Sequence, residues 1–132
     1  MIVHHQAIVV ATVRRKPSQI RCEDLSGFLS ALVKEIKMNA LFEPIAIHGK
    51  FGFTGIVGIV TSHIAFHYFD EGQVLHFDAY SCKEYDLTAL MRFLDTYWQI
   101  EKADVLFVTR DAGPSVERFS YQNSKLKKEH KV

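Results

Sequence analysis

Cysteine is scarce in this 132-residue chain, which has only Cys22 and Cys82. Two thiols can form one bridge at most, which excludes a disulfide-stapled scaffold and leads us to expect free thiols in a cytoplasmic protein. An excess of one charge is missing as well. The formal net charge is +1, so a dedicated nucleic-acid surface is not expected. No apolar run is long enough to span a membrane, and MIVHHQAIVVATVRRK lacks the signal-peptide order of charge followed by apolar core, so no membrane partner is expected. Internal repeats and low-complexity segments are also lacking. What is present is ordinary globular composition, 48% apolar and 23% charged. That length suits one domain over 1–132, with a polar tail from about 111.

In chain order, residues 7–13 (AIVVATV) form a β-branched run that predicts a strand. Arg14-Arg15-Lys16-Pro17 breaks it and reads as a solvated loop. From 22 to 38, Leu25, Phe28, Leu29, Leu32, Val33 and Ile36 recur at helical spacing, with Glu23 and Asp24 where the helix dipole favours negative charge. Residues 41–48 are strand-like, although Pro44 confines their first part to an edge or bulge. Gly49, Gly52, Gly55 and Gly58 recur every third residue, consistent with a bulged strand pair or with close backbone approach. Residues 85–99 predict a second amphipathic helix with Asp86 at its start, and 104–109 a last strand. The tail ending in KLKKEHKV reads as frayed or peripherally packed.

Between the helices lies the most informative stretch, 54–82, which reads as three consecutive strands. Asp70-Glu71-Gly72 marks a turn, which sets His67 opposite His76. Strand alternation then puts Ile64, Phe66, Tyr68, Leu75, Phe77 and Ala79 on one face as a wall for helices. The other face carries His63, His67, His76, Asp78, Tyr80 and Cys82, with Phe69 and Val74 adding apolar surface. The order β–α–β–β–β–β–α–β predicts an α+β fold: an antiparallel sheet with two helices packed on one face, its other face left to dimerise. A metal site on that open face is not expected. His63 and His67 stand roughly 13 Å apart along one strand, too far for one ion.

The run Thr54-Gly55-x-x-x-x-x-x-Ser62-His63-x-x-x-His67, followed fifteen residues later by Cys82, resembles the short prokaryotic, pyruvoyl-dependent S-adenosylmethionine decarboxylase proenzymes. The match runs from Thr54 to Cys82 without a gap and loosely over 8–110. The resemblance implies self-cleavage between Thr61 and Ser62, with Ser62 becoming a pyruvoyl cofactor (a covalently held pyruvate). It also implies His67 as processing base, Thr54 as processing hydroxyl, Cys82 as proton donor and Glu71 as the carboxylate that holds the substrate ribose. The substrate implied is S-adenosylmethionine, the pathway polyamine (spermidine) synthesis, and the assembly a homodimer with sites near the interface. Three positions depart from the family pattern. Thr61 stands where the family has Glu, Thr54 where it has Ser, and His48 where it stacks an aromatic on adenine.

Each implied role matches the chemistry of its residue. The Ser62 hydroxyl attacks the Thr61 carbonyl and turns the amide into an ester. Loss of the Ser62 α-proton eliminates the ester, and hydrolysis of the resulting dehydroalanine leaves the pyruvoyl group. Donors must hold the oxyanion and a histidine can take the proton. The pyruvoyl group then condenses with a substrate amine and draws electrons as CO2 leaves. A thiol suits the return of a proton because thiols titrate near neutral pH. Two alternatives stay open: a pyruvoyl-dependent decarboxylase of ornithine or arginine, motivated by His48, and an uncleaved binding or regulatory subunit, motivated by Thr61.

Overall fold

A computed structural model describes residues 2–129. The chain runs β1 (His5–Val13), α1 (Cys22–Glu35), β2 (Ile45–His48), β3 (Gly52–Ile59), β4 (Ser62–Phe69), β5 (Val74–Ser81), α2 (Leu87–Trp98), β6 (Ile100–Thr109), β7 (Ser115–Gln122) and β8 (Lys125–Lys128). All eight strands form one sheet in the order β2-β3-β4-β5-β1-β6-β7-β8, and every pairing is antiparallel. The first strand therefore lies in the middle, flanked by β5 and β6.

Both helices cover the same face, as the α+β expectation requires. Ile64, Phe66, Tyr68, Leu75, Phe77 and Ala79 are all buried beneath them. Phe28 of α1 and Trp98 of α2 meet over Phe66, with ring centroids 6.1 Å and 5.4 Å from it, and Trp98 stacks on Tyr68 at 5.3 Å. Two glycines of the repeat are explained by contacts with aromatic rings, one on each face of β3. A methyl group on Gly55 would lie 2.4 Å from the Phe66 ring, and one on Gly58 would lie 2.6 Å from the Phe42 ring. Close approach by the chain's own aromatics accounts for both.

Two expectations need correction and a third is narrowed. Residues 41–48 are not one strand. Ala40 bridges to Ile59 and Leu41 N–H donates to the Gly58 carbonyl at 2.8 Å, 42–44 leave the ladder, and pairing resumes at Ile45, directly after Pro44, which has no N–H to give. The last helix leads straight into β6, because Gln99 takes a left-handed conformation (φ 60°) and Ile100 N–H is accepted by the Asp95 carboxylate at 2.8 Å. The polar tail is not frayed through residue 128; it is peripherally packed, as two further strands at the sheet edge. Strands β7 and β8 form a hairpin whose turn residues Asn123 and Ser124 both have positive φ, as right-twisted hairpins favour. Tyr121, 1% exposed, anchors it by donating to the Asp95 carboxylate at 2.8 Å. Residues 130–132 lie outside the described residues.

The basic loop is a structural tie. Arg14 Nη1 donates to the Ile100 carbonyl at 3.2 Å, and Arg15 donates to the Tyr97 carbonyl and lies over its ring. Among the described residues no helix is long and apolar enough to cross a membrane.

Candidate active site

The Thr61–Ser62 bond lies at one end of the sheet. Ile59 pairs with Ser62, so Val60 and Thr61 form a two-residue turn between β3 and β4. Ser62 opens β4 opposite Ser81 of β5, and alternation assigns it to the helix side with Ile64. The Thr61 carbonyl, the one a cleavage reaction would attack, accepts the Cys82 N–H at 3.1 Å. The Thr61 hydroxyl turns inward and bonds Ser81 Oγ at 2.9 Å. Thr61, Ser62 and Cys82 are thus drawn together by the alignment of β4 with β5, and Cys22 and Cys82 are both free thiols.

Thr54 and His67 form a second group. They are direct cross-strand partners on the open face, with Thr54 Oγ1 and His67 Nδ1 2.9 Å apart. When the Thr54 oxygen accepts from Nδ1–H, His67 Nε2 keeps its lone pair, the tautomer a base needs. This pair does not reach Ser62 within the chain, however. His67 is five residues along the same strand, roughly 16 Å at the usual rise.

Glu71 is farther still. It lies in the β4–β5 turn, beyond the far end of β4, more than about 23 Å from Ser62. Beside it is a hollow of about 550 Å³ lined by Lys50, Phe51, Phe69, Asp70, Glu71, Val74 and His76. His48 is not part of it. It pairs with Phe53 and stacks on that ring at 4.2 Å, on the side that faces the helices. The exposed aromatic next to Glu71 is Phe51, 68% exposed, with Phe69 close by. Sequence reasoning passed over Phe51 because it falls in a glycine-flanked turn that carries no periodicity. Asp70 Oδ1 is buried here without a hydrogen-bond partner.

Between these ends the open face carries a polar network. Asp78 Oδ2 accepts from Gln6 Nε2 at 3.0 Å and meets His63 Nε2 at 3.3 Å, while His4 Nδ1 bonds the Tyr80 hydroxyl at 3.0 Å. Among the described residues no three His, Cys, Asp or Glu side chains converge on a common point. On the same face Val10, Ile56, Phe69 and Val116 are exposed apolar residues.

No curated protein matches the sequence. The fold is similar to the crystal structure of the adenosylmethionine decarboxylase from Aquifex aeolicus VF5. The two share 22% identity over 84% of this chain and 92% of that one, with a TM-score of 0.67. The sequence profile described as S-adenosylmethionine decarboxylase matches residues 9–111, which include strands β2 to β6, most of β1 and both helices. The chain belongs to the S-adenosylmethionine decarboxylase family.

Proposed function

We propose that this protein is a self-cleaving, pyruvoyl-dependent S-adenosylmethionine decarboxylase of polyamine synthesis, working as a homodimer. The observation that carries the reading is the 3.1 Å hydrogen bond from Cys82 N–H to the Thr61 carbonyl. It aims a backbone donor at the oxygen that becomes negative when Ser62 Oγ attacks, the task of an oxyanion hole. The same residue carries the thiol assigned to protonate the product.

A pyruvoyl group at position 62 fits the local fold. The bond to be cut belongs to a two-residue turn, and both strands it joins are held independently. β3 pairs with β2, and β4 pairs with β5 along its whole length. Cutting that bond therefore leaves the ladder in place, with residue 62 as a new chain start. When present, the group supplies a carbonyl that takes up the electron pair left as the substrate carboxylate departs.

The remaining roles are divided between two copies. Ser62 and Cys82 occupy one end of the β4–β5 hairpin, and His67 with Thr54, then Glu71, extend toward the other. A two-fold partner laid on the open face would reverse the hairpin's direction and bring the His67–Glu71 end of one chain to the Ser62 end of the other. In that arrangement His67, oriented by Thr54, takes the Ser62 α-proton during processing. Glu71 accepts hydrogen bonds from the ribose hydroxyls, and Phe51 offers the adenine a face that His48 does not. An aromatic beside a carboxylate favours a nucleoside over ornithine or arginine as substrate.

The test is the intact mass of the purified protein under denaturing conditions, together with CO2 release from S-adenosylmethionine. Two fragments meeting at Thr61/Ser62, the larger lacking an N-terminal amine, are expected along with turnover. A single species near 15.1 kDa that releases no CO2 would refute the reading and leave the uncleaved-subunit alternative standing.

A further inference from the structure

Among the described residues Ser81 is the one buried non-aromatic residue with a polar side chain, at 1% exposure. It sits opposite Ser62 and next to Cys82 at the end of β5. Its oxygen accepts the Lys83 N–H at 2.9 Å and lies 2.9 Å from Thr61 Oγ1. Beneath both hydroxyls is the Met38 sulfur, 3.5 Å from Thr61 Oγ1 and 3.8 Å from Ser81 Oγ. The protons account for themselves. Whichever hydroxyl donates to the other, the second donates to the sulfur, so the small network closes without water.

Thr61 is therefore gripped twice by consecutive residues of one strand. Ser81 holds its side chain on the helix side, and Cys82 N–H holds its carbonyl within the ladder. These two contacts flank the carbonyl carbon and fix the rotation of the peptide group that Ser62 Oγ must approach. Val60 and Thr61 both keep ordinary negative φ, so the turn relies on no left-handed residue for its shape. Among the described residues no charged side chain takes part in this grip.

We propose that the buried Thr61–Ser81 hydroxyl pair, backed by Met38, is the positioning device for cleavage in this chain, and that it orients the scissile carbonyl without a carboxylate at position 61. The Ser81 and Thr61 side chains act here as positioning groups: neither hydroxyl is a reacting atom, and both work through the angle at which Ser62 meets the Thr61 carbonyl. The inference rests on the self-cleavage reading above.

The experiment follows the appearance of the two fragments over time, by denaturing mass, for the wild type and for T61S, T61V and S81A. T61S keeps the hydroxyl and is expected to cleave at nearly the wild-type rate. T61V keeps the shape but loses the bond, and S81A loses the anchor. Both are expected to slow by about 10-fold or more, the scale of a small misalignment at a reacting centre. A thermal melt of each uncleaved chain separates slow cleavage from poor folding, and T61V decides the matter if S81A fails to fold. Cleavage of T61V at the wild-type rate would overturn the inference while leaving self-cleavage intact. A wild-type chain that never cleaves would overturn the function reading and this inference with it.

Discussion

Two variants that are each unable to cleave should restore cleavage when combined, if His67 acts across a subunit boundary. S62A keeps His67 but has no serine to convert, while H67A keeps Ser62 but has no base. Within one chain the two residues are five strand positions apart, roughly 16 Å, whereas proton abstraction needs heavy atoms about 3 Å apart or one bridging water. Loss of a general base typically costs a factor of about 10² to 10⁴, so H67A alone is expected to remain whole on the timescale of wild-type processing. After equimolar mixing and subunit exchange, a two-fold dimer puts about half of the H67A chains beside an S62A partner. Those chains should cleave, and the S62A chains should not.

The assay is a denaturing gel or mass spectrum of the mixture, with one variant carrying a small mass tag so that the fragments can be assigned. Cleavage confined to H67A chains establishes a shared site. If H67A stays whole in the mixture while gel filtration shows that heterodimers have formed, the trans arrangement is refuted. The strand geometry of the β4–β5 hairpin would then have to change before the chain could process itself. Rapid cleavage of H67A on its own would instead refute His67 as the base.

Position 82 should separate two functions, because its N–H and its thiol have different tasks. C82A keeps the donor to the Thr61 carbonyl, so fragments should form at close to the wild-type rate, while CO2 release per cleaved chain falls by about 10²-fold or more. In the core, Gly55→Ala would push a methyl group to 2.4 Å from the Phe66 ring. It should cost about 1–3 kcal/mol, read as a lower urea midpoint at unchanged m-value. Alkaline pH should also destabilise the fold. Burial pushes the Tyr68 phenol up to about 12, and burial together with the Asp95 carboxylate does the same for Tyr121. The folded chain then keeps protons that the unfolded chain loses above about pH 10, so stability is fully present below that pH. It should fall between pH 10 and 12 with a slope of about 1.4 kcal/mol per pH unit for each group, measured by denaturant titrations at stepped pH.

What could be read from the sequence depended on whether the signal was local and periodic. The hairpin from Ser62 to Cys82 was legible because strand alternation and one turn signal determine both faces, and the predicted pairing of His67 with His76 is the one observed. The two helices were legible from their stripes. Strands β7 and β8 were not, because exposed edge strands bury little. Only Tyr121, Phe119 and Leu126 pack against the core there, amid Lys and Glu that resemble any polar tail. The candidate site divides along the same line. Resemblance to the family, carried by their spacing, brought out Ser62, His67, Glu71 and Cys82, but spacing measures distance along the chain. Alone it could not show which distant groups the fold brings together. Nor could it show that His48 turns toward Phe53 while Phe51 stands beside Glu71. Ser81 was passed over for a related reason: a serine at the end of a strand is unremarkable until the register sets it against the bond to be cut. In the proposed dimer, the reach that one chain lacks would come from its uncovered face. Val10, Ile56, Phe69 and Val116 are apolar groups left exposed there, and a second copy would cover them while completing both sites.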